Sequence, residues 1–587
     1  MLKFLKYLLA SFIGCFFALF LLFLIMAGMM GAVSSLSDMV TVEEKSVLKI
    51  NLNAEIAERT RETPFPLLDY MNPNMQQTLG LNAILSAIKK AETDDRIEGI
   101  LLNVSEVYAG ISQLEEIRNA LTNFKQSGKF ILSYSDMYTQ KSYYLATVAD
   151  KVYINPLGDF QWKGLSAQMP FLKNMLDKLD IEVQVIRHGK YKSAVEPLMQ
   201  ESMSPENREQ TLSCVKSVWN CMTDKIAEAR NLSAAQLNEW ADRLEIYDTR
   251  TALDKGLVDG RVYYDTVLEE LKEKTGVAST DDIHFITLPK YIKYNRKLSP
   301  ADRYGRQKIA VIYAEGNIVM GDGRNGITSE GLSNAIRSAR QDSAVKAIVL
   351  RINSGGGSAL ASEIIAREIS LADKPVIASF SDVAASGGYY IAAFADTIIA
   401  NRTTLTGSIG VWGYAFNFKK FMNKKIGLTF DGAGTHRHSD FPNPMRPLHP
   451  EERSMLQRSV ENVYDVFLER VAEGRQMTKD AVDKIAQGRV WNAVDAQRTG
   501  LVDTFGGLTD AIRIAAEKAG VDNYSVEELP RLQGTLEMLM SSLSEELRLR
   551  IIPSGADEAY GKYYRQIQNI MEMNGVQAML PFEIEWH

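Results

Sequence analysis

The sequence predicts an α/β protein made of two tandem parallel-sheet units, one per half of the chain, behind a single apolar N-terminal segment. Three observations carry this. The first is internal repetition: SYSDMYTQKSYYLATVAD (133–150) lies over SFSDVAASGGYYIAAFAD (379–396) without a gap, with 8 of 18 positions identical. The flanks agree, EGILLNV (98–104) matching KAIVLRI (346–352) in pattern and KGLVDG (255–260) matching TGLVDT (499–504). The second is that strands too apolar to be half-exposed alternate with helical stretches in each copy, the pattern of parallel strands covered on both faces. The third is length, since 587 residues exceed what one hydrophobic core organises.

The chain divides into an N-terminal segment (1–45), a first unit (46–290), a second unit (291–525) and a C-terminal tail (526–587). Residues 7–37 run for 31 positions without a charge, behind Lys3 and Lys6. As a helix this run measures about 46 Å against a hydrocarbon core of roughly 30 Å, so it predicts one transmembrane helix that tilts or protrudes. A cleaved signal peptide is the competing reading, but its apolar region is about half as long and ends in an A-x-A-like site that is not evident here. Lysines on one side, against Asp38, Glu43 and Glu44 on the other, predict a cytoplasmic N-terminus with the remainder outside.

The first unit has lost what the second displays. Opposite Ser386, Gly387 and Gly388 stand Gln140, Lys141 and Ser142, and opposite the glycine loop stands SEVYAG (105–110). It does carry RHGKYKSAVEP (187–197), where the second unit reads GTHRHSDFPNP (434–444). A buried lysine there, Lys192, would be a base, because desolvation disfavours its charge. Spacing alone reads Lys190 and Lys192 equally well as surface lysines. Cys214 and Cys221 share one face of a helix about 10 Å apart, too far for a disulfide, and Cys15 lies in the apolar run.

The second unit concentrates the chemistry. In SDVAASGGYY, Ser386 stands between two alanines and two glycines, and an apolar run at 389–394 reads as a helix closed by Asp396. Small neighbours let a substrate backbone approach, and unpaired N–H groups at a helix start favour the anion of an acyl-transfer intermediate. Read blandly, A-A-S-G-G is a tight turn with Ser386 as its cap. About thirty residues upstream, AIVLRINSGGGS runs from a strand into a glycine loop and a helix. That loop lacks the Lys-Ser/Thr of a phosphate-binding loop and the order G-x-G-x-x-G, and it suits an oxyanion hole in which Gly356 and Gly387 each present an N–H. A Ser-His-Asp arrangement would draw on His436 or His438 with Asp382 or Asp396. Residues 532–547 read as an amphipathic helix packed on its own domain.

Composition narrows the partners. Net charge is −7, from 66 basic and 73 acidic residues with no basic block, which argues against nucleic acid. No H-E-x-x-H motif or closely spaced cysteine pair occurs, so neither a metal nor another cofactor is expected.

The set YKSAVEP, LRINSGGGS, AASGGYY and TLTGSIG, in that order across a duplicated chain behind one anchor, resembles the long tandem form of the bacterial signal peptide peptidase A (protease IV) family, over roughly residues 45–530. The resemblance implies two crotonase/Clp-protease-like domains and a serine peptidase with a Ser-Lys dyad. Ser386 would be the nucleophile, Lys192 the general base, Ser408 the residue that holds the lysine, and Gly356 and Gly387 the oxyanion donors. It also implies a homotetramer in the bacterial inner membrane, its catalytic domains outside the cytoplasm, acting on hydrophobic peptides that include remnant signal peptides. One departure is plain: the family commonly has S-P-G-G where this chain has Ser354-Gly355-Gly356-Gly357, and losing proline loosens a loop. The alternative is a non-catalytic crotonase-like scaffold for hydrophobic or acyl ligands, or the Ser-His-Asp hydrolase.

Overall fold

The computed structural model describes residues 41–60, 78–298, 307–322, 326–531 and 576–579, with parts of 3–21. The predicted anchor at 7–37 falls largely outside these residues, as does the amphipathic stretch 532–547; among the described residues no helix is long and apolar enough to cross a membrane.

Each half builds a sheet around the same run of four parallel strands, and the second adds Leu405–Gly407 beside Val376–Ala385 with Val490–Asn492 antiparallel to it. In the first, Ser46–Ile50, Ile97–Leu102, Phe130–Tyr138 and Lys151–Phe160 lie side by side, with Phe285–Thr287 and Gly260–Arg261 on the edges. In the second, Lys308–Glu315, Val345–Ser354, Val376–Ala385 and Thr397–Ala400 follow in the same order, between Ser525–Leu529 and Thr504–Phe505. Alternation along the central strand shows why it reads as one apolar run. Ile348, Leu350 and Ile352 enter one core with the helices Ser329–Gln341 and Ala359–Ser370, while Ala347 and Val349 enter another with Leu508–Ala519. Successive side chains point to opposite faces, and here both faces are covered.

A third sheet joins the halves. Its order is Ile327–Thr328, Ile318–Val319, Gly356–Ser358, Gln577–Met579, Trp412–Asn417 and Glu182–Arg187. The last of these comes from the first unit and pairs antiparallel with Trp412–Asn417 along its whole length. Of the C-terminal tail, residues 526–531 and 576–579 are described: the boundary at 526 cuts the strand Ser525–Leu529, and Gln577–Met579 is a strand in this third sheet.

Beneath the junction lies a buried charge cluster. Arg351, fully buried, donates to Glu58 (2.7 Å) and Glu116 (2.7 Å) of the first unit. Glu58 also accepts from Gln113 (2.9 Å) and Asn353 (3.0 Å), and Glu116 from Asn401 (2.8 Å) and the N–H of Leu508 (2.8 Å). Nearby, Asp382 accepts from the N–H of Ser112 at 2.8 Å. Burial, reinforced by the Glu58 charge, pushes the Asp382 carboxyl up to about 6.

Candidate active site

Ser386 stands where the buried strand Val376–Ala385 ends. Its φ of 55° and ψ of −115° place a non-glycine residue in a sparsely populated region, the kind of strain that a surrounding structure must enforce. The Ser386 N–H donates to Gly407 O at 2.7 Å, which holds the turn. The hydroxyl makes no capping bond to the short helix Gly387–Tyr390, so it is not spent on the turn. That helix is shorter than the run 389–394 suggested; beyond Tyr390 the chain continues in turns to the strand Thr397–Ala400. Its two glycines stand in close contact with their surroundings. A Cβ on Gly387 would lie 2.7 Å from Ser362 Oγ, and one on Gly388 2.6 Å from Ser354 O.

The first unit brings Lys192 to this point. After Glu182–Arg187 has paired with the second unit, the N–H of His188 donates to Val411 O (3.3 Å) and that of Tyr191 to Gln487 O (2.9 Å). Gln210 bridges the same seam, donating to Ser193 Oγ (2.8 Å) and accepting from Val490 N (3.0 Å). Lys190 is exposed, whereas Lys192 is fully buried in the turn before the short helix Ser193–Val195. Lys192 Nζ lies 2.8 Å from Ser386 Oγ and 3.0 Å from both the hydroxyl and the carbonyl oxygen of Ser408. Ser408, at φ 50°, is a second residue with a strained backbone in this small volume. Burial holds the Lys192 pKa well below its ordinary 10.5.

Two residues that sequence reasoning missed shape the lysine channel. A Cβ on Gly488 (φ 78°) would sit 2.6 Å from Lys192 Cβ, and one on Gly410 3.2 Å from Lys192 Cδ. Gly410 was visible only as the last letter of TLTGSIG, and Gly488 carried no signal.

Gly356 differs from its expected part. Its N–H donates to Ser354 Oγ at 3.1 Å, a hydroxyl that itself donates to Gly316 O at 2.6 Å. What its φ of 103° provides is close approach, since a Cβ there would lie 2.7 Å from Gly387 N. The triad candidates are not brought together. His436 and His438 are exposed and partnered by Thr435 (3.0 Å) and Glu452 (3.0 Å). Asp396 accepts from Val376 N at 2.8 Å, and Asp382 belongs to the junction between the halves.

Two stretches of the chain, residues 123–278 and 368–522, match the model of Peptidase family S49, and together they span more than half of it. The chain belongs to peptidase family S49. One matched stretch falls in each repeat unit, as the tandem form of the family implies. Protease 4 of Salmonella typhi is 36% identical over 480 residues, covering 79% of this chain and 76% of its own. Protease 4 of Haemophilus influenzae is 34% identical over 505 residues, 82% of each. Serine protease SPPA, chloroplastic, of Arabidopsis thaliana is 34% identical over 517 residues, 86% of this chain and 74% of its own. As a member of family S49 the protein is a serine peptidase, which sets aside the non-catalytic scaffold.

Proposed function

We propose that the protein is a membrane-anchored endopeptidase that uses Ser386 and Lys192 as a dyad to cleave hydrophobic peptides, remnant signal peptides among them. The observation that carries the dyad is a fully buried lysine whose amine lies 2.8 Å from the serine hydroxyl. A neutral amine has two N–H groups and one lone pair. Donating the two to Ser408 Oγ and Ser408 O leaves the lone pair facing Ser386, so the hydroxyl proton moves to Nζ as Oγ attacks a peptide carbonyl. The ammonium formed then protonates the leaving amine, and the amine so regenerated draws a proton from the water that hydrolyses the ester. Negative charge on the tetrahedral oxygen develops against the Gly387 N–H. Ser408 orients the lysine and takes no proton.

The first unit supplies the base and the second the nucleophile, so neither half acts alone. The anchor rests on residues 7–37 and their flanking charges, and places the enzyme in the cytoplasmic membrane of a bacterium with both units outside. A homotetramer follows from the same family resemblance. The test is a serine-reactive phosphonate or β-lactone read by intact mass. One adduct on Ser386 is expected, with none in Ser386→Ala and greatly slowed labelling in Lys192→Ala. Labelling of Ser386→Ala at the wild-type rate would remove Ser386 from its role.

A further inference from the structure

Lys192 belongs to neither a helix nor a strand, so no ladder of backbone bonds fixes where its side chain starts. Its φ is −74° and its ψ 80°, just before the short helix Ser193–Val195. A fully buried glutamine stands over this turn. Gln210, from the helix Pro205–Arg230, turns its Nε2 to Ser193 Oγ (2.8 Å) and Tyr191 O (3.2 Å), on either side of the lysine. Its Oε1 accepts from Val490 N at 3.0 Å, in the second unit. The backbone decides which end is which, since Tyr191 O faces only a donor and Val490 N only an acceptor. A third oxygen, Asn207 Oδ1, lies 3.2 Å from Nε2. Asn207 in turn donates to Glu196 (2.8 Å), which also accepts from Ser204 Oγ (2.6 Å) and so ties the start of that helix back to the Lys192 stretch.

We infer that Gln210 is a positioning residue for the general base: its one amide sets Lys192 against Ser386 and Ser408 by joining the lysine turn to the segment that holds Ser408. The inference rests on the dyad reading of the same site. Residues 487–490 are the common rail. Gln487 O accepts from Tyr191 N (2.9 Å), a Cβ on Gly488 would lie 2.7 Å from Lys192 N, Arg489 O accepts from Ser408 N (2.6 Å), and Val490 pairs with Gly407. Gly407 O in turn accepts from Ser386 N (2.7 Å). A lysine stem is flexible, so Nζ keeps its 2.8 and 3.0 Å distances to the two hydroxyls only while the backbone beneath it is held. Misplacing a reacting group by about 1 Å costs up to about 100-fold in rate. The amide is also neutral, so it holds the turn without a charge that would favour the ammonium form of Lys192.

The experiment measures how fast a serine-reactive phosphonate labels Ser386 in the full chain, read by intact mass. Gln210→Met, of nearly the same length and with no polar end, should slow labelling about 10- to 100-fold. The same substitution in Lys192→Ala should change the residual rate less than about twofold, because a residue that acts only through the lysine then has nothing to act on. Labelling of Gln210→Met at the wild-type rate overturns the inference. So does slowing by one factor in both backgrounds, since a merely structural glutamine lowers the rate with or without the lysine. If Gln210→Met yields no folded chain, Ser193→Ala decides. It removes one hydroxyl, the acceptor nearest the amide, and should slow labelling about threefold with Lys192 present and not at all in Lys192→Ala. Ser193→Ala labelled at the wild-type rate would then overturn the inference. Equal labelling of wild type and Lys192→Ala would instead remove the dyad itself, so the two failures are distinguishable.

Discussion

The two units keep the same scaffold bonds around different centres. Asp150 accepts from Ile131 N at 2.8 Å, as Asp396 does from Val376 N at 2.8 Å. Asp259 accepts from Val152 N at 2.7 Å, as Asp503 does from Ile398 N at 2.7 Å. The Tyr143 hydroxyl donates to Leu257 O and that of Tyr389 to Leu501 O. At the head of the following helix the likeness stops. Gln140, opposite Ser386, accepts from the N–H groups of Lys163 (2.9 Å) and Gly164 (2.8 Å), and Lys141, opposite Gly387, donates to Ala109 O (3.2 Å). Side chains of the first unit thus bond to the backbone where the second has a hydroxyl held against Lys192 Nζ and close-approach glycines. A duplicated fold can change the residues at that helix head while its carboxylate-to-backbone bonds stay, because those bonds hold the strands together.

The comparison is broken most severely at Ser386. Ser386→Ala should lower kcat/KM by roughly 10³-fold or more while leaving the melting temperature nearly unchanged, since one hydroxyl is lost from packing and the nucleophile from chemistry. Peptide hydrolysis near the wild-type rate would show that the second unit does not hold the site.

Lys192 tests whether the first unit takes part in the chemistry. Lys192→Ala should fall almost as far as Ser386→Ala, with the double variant no worse than either, because groups that act as a unit are not additive. Lys192→Arg should not rescue, for a guanidinium stays charged and offers no lone pair. His438→Ala should keep its activity, since that ring is exposed and bonded to Glu452. Loss of activity in His438→Ala with retention in Lys192→Ala would reverse the assignment.

How far these features were legible depends on where their partners lie in the chain. Ser386 was readable because its small neighbours are local, and the repeat exposed its replacement by Gln140. The two parallel sheets were readable because each central strand is apolar on both faces. Lys192 was separable from Lys190 only through the family resemblance, because the glycines that bury it, Gly410 and Gly488, are more than 200 positions away. The oxyanion part of Gly356 was misread, since its N–H is taken by Ser354 and no pattern announces that bond. The strand Gln577–Met579 was beyond local reading: three residues carry no period, and they are a strand because Gly356–Ser358 pairs with them.

Arg351 shows what the second unit adds to hold the first. The side chain of its counterpart, Asn103, donates within its own unit, to Tyr134 O at 3.0 Å, whereas Arg351 joins Glu58 and Glu116 across the junction. Arg351→Met should destabilise the folded chain by about 3–5 kcal/mol at neutral pH, because it leaves two buried carboxylates without their cation. Asn103→Ala should cost only about 1 kcal/mol. Chemical denaturation of both variants measures the difference, and equal losses would mean that the junction cluster contributes nothing beyond an ordinary hydrogen bond.

The pH dependence separates the buried lysine from an ordinary one. With its pKa held well below 10.5, Lys192 gains its neutral form at lower pH than a free lysine. kcat/KM should therefore rise about tenfold per pH unit below the folded pKa and level off above it, still short of 10.5. A limb that rises only at or above 10.5 would place the lysine in solvent.

The smallest effect is on stability, and its sign follows from proton binding. Between the depressed folded pKa and the unfolded value near 10.5, the unfolded chain holds a proton on Lys192 that the folded chain does not. Stability from this group therefore rises with pH through that window, by about 1.4 kcal/mol per unit, and is flat below it. Lys192→Met removes the titration but also leaves Ser408 O and two hydroxyls without the amine, so its absolute stability mixes two opposed terms. The difference between wild type and variant as pH changes holds only the first. Paired denaturation curves at several pH values up to the alkaline limit of folding should show the wild type gaining on Lys192→Met as pH rises. A constant difference across that range would mean that Lys192 enters the folded state with its proton, and a lysine that keeps its proton is no base for Ser386.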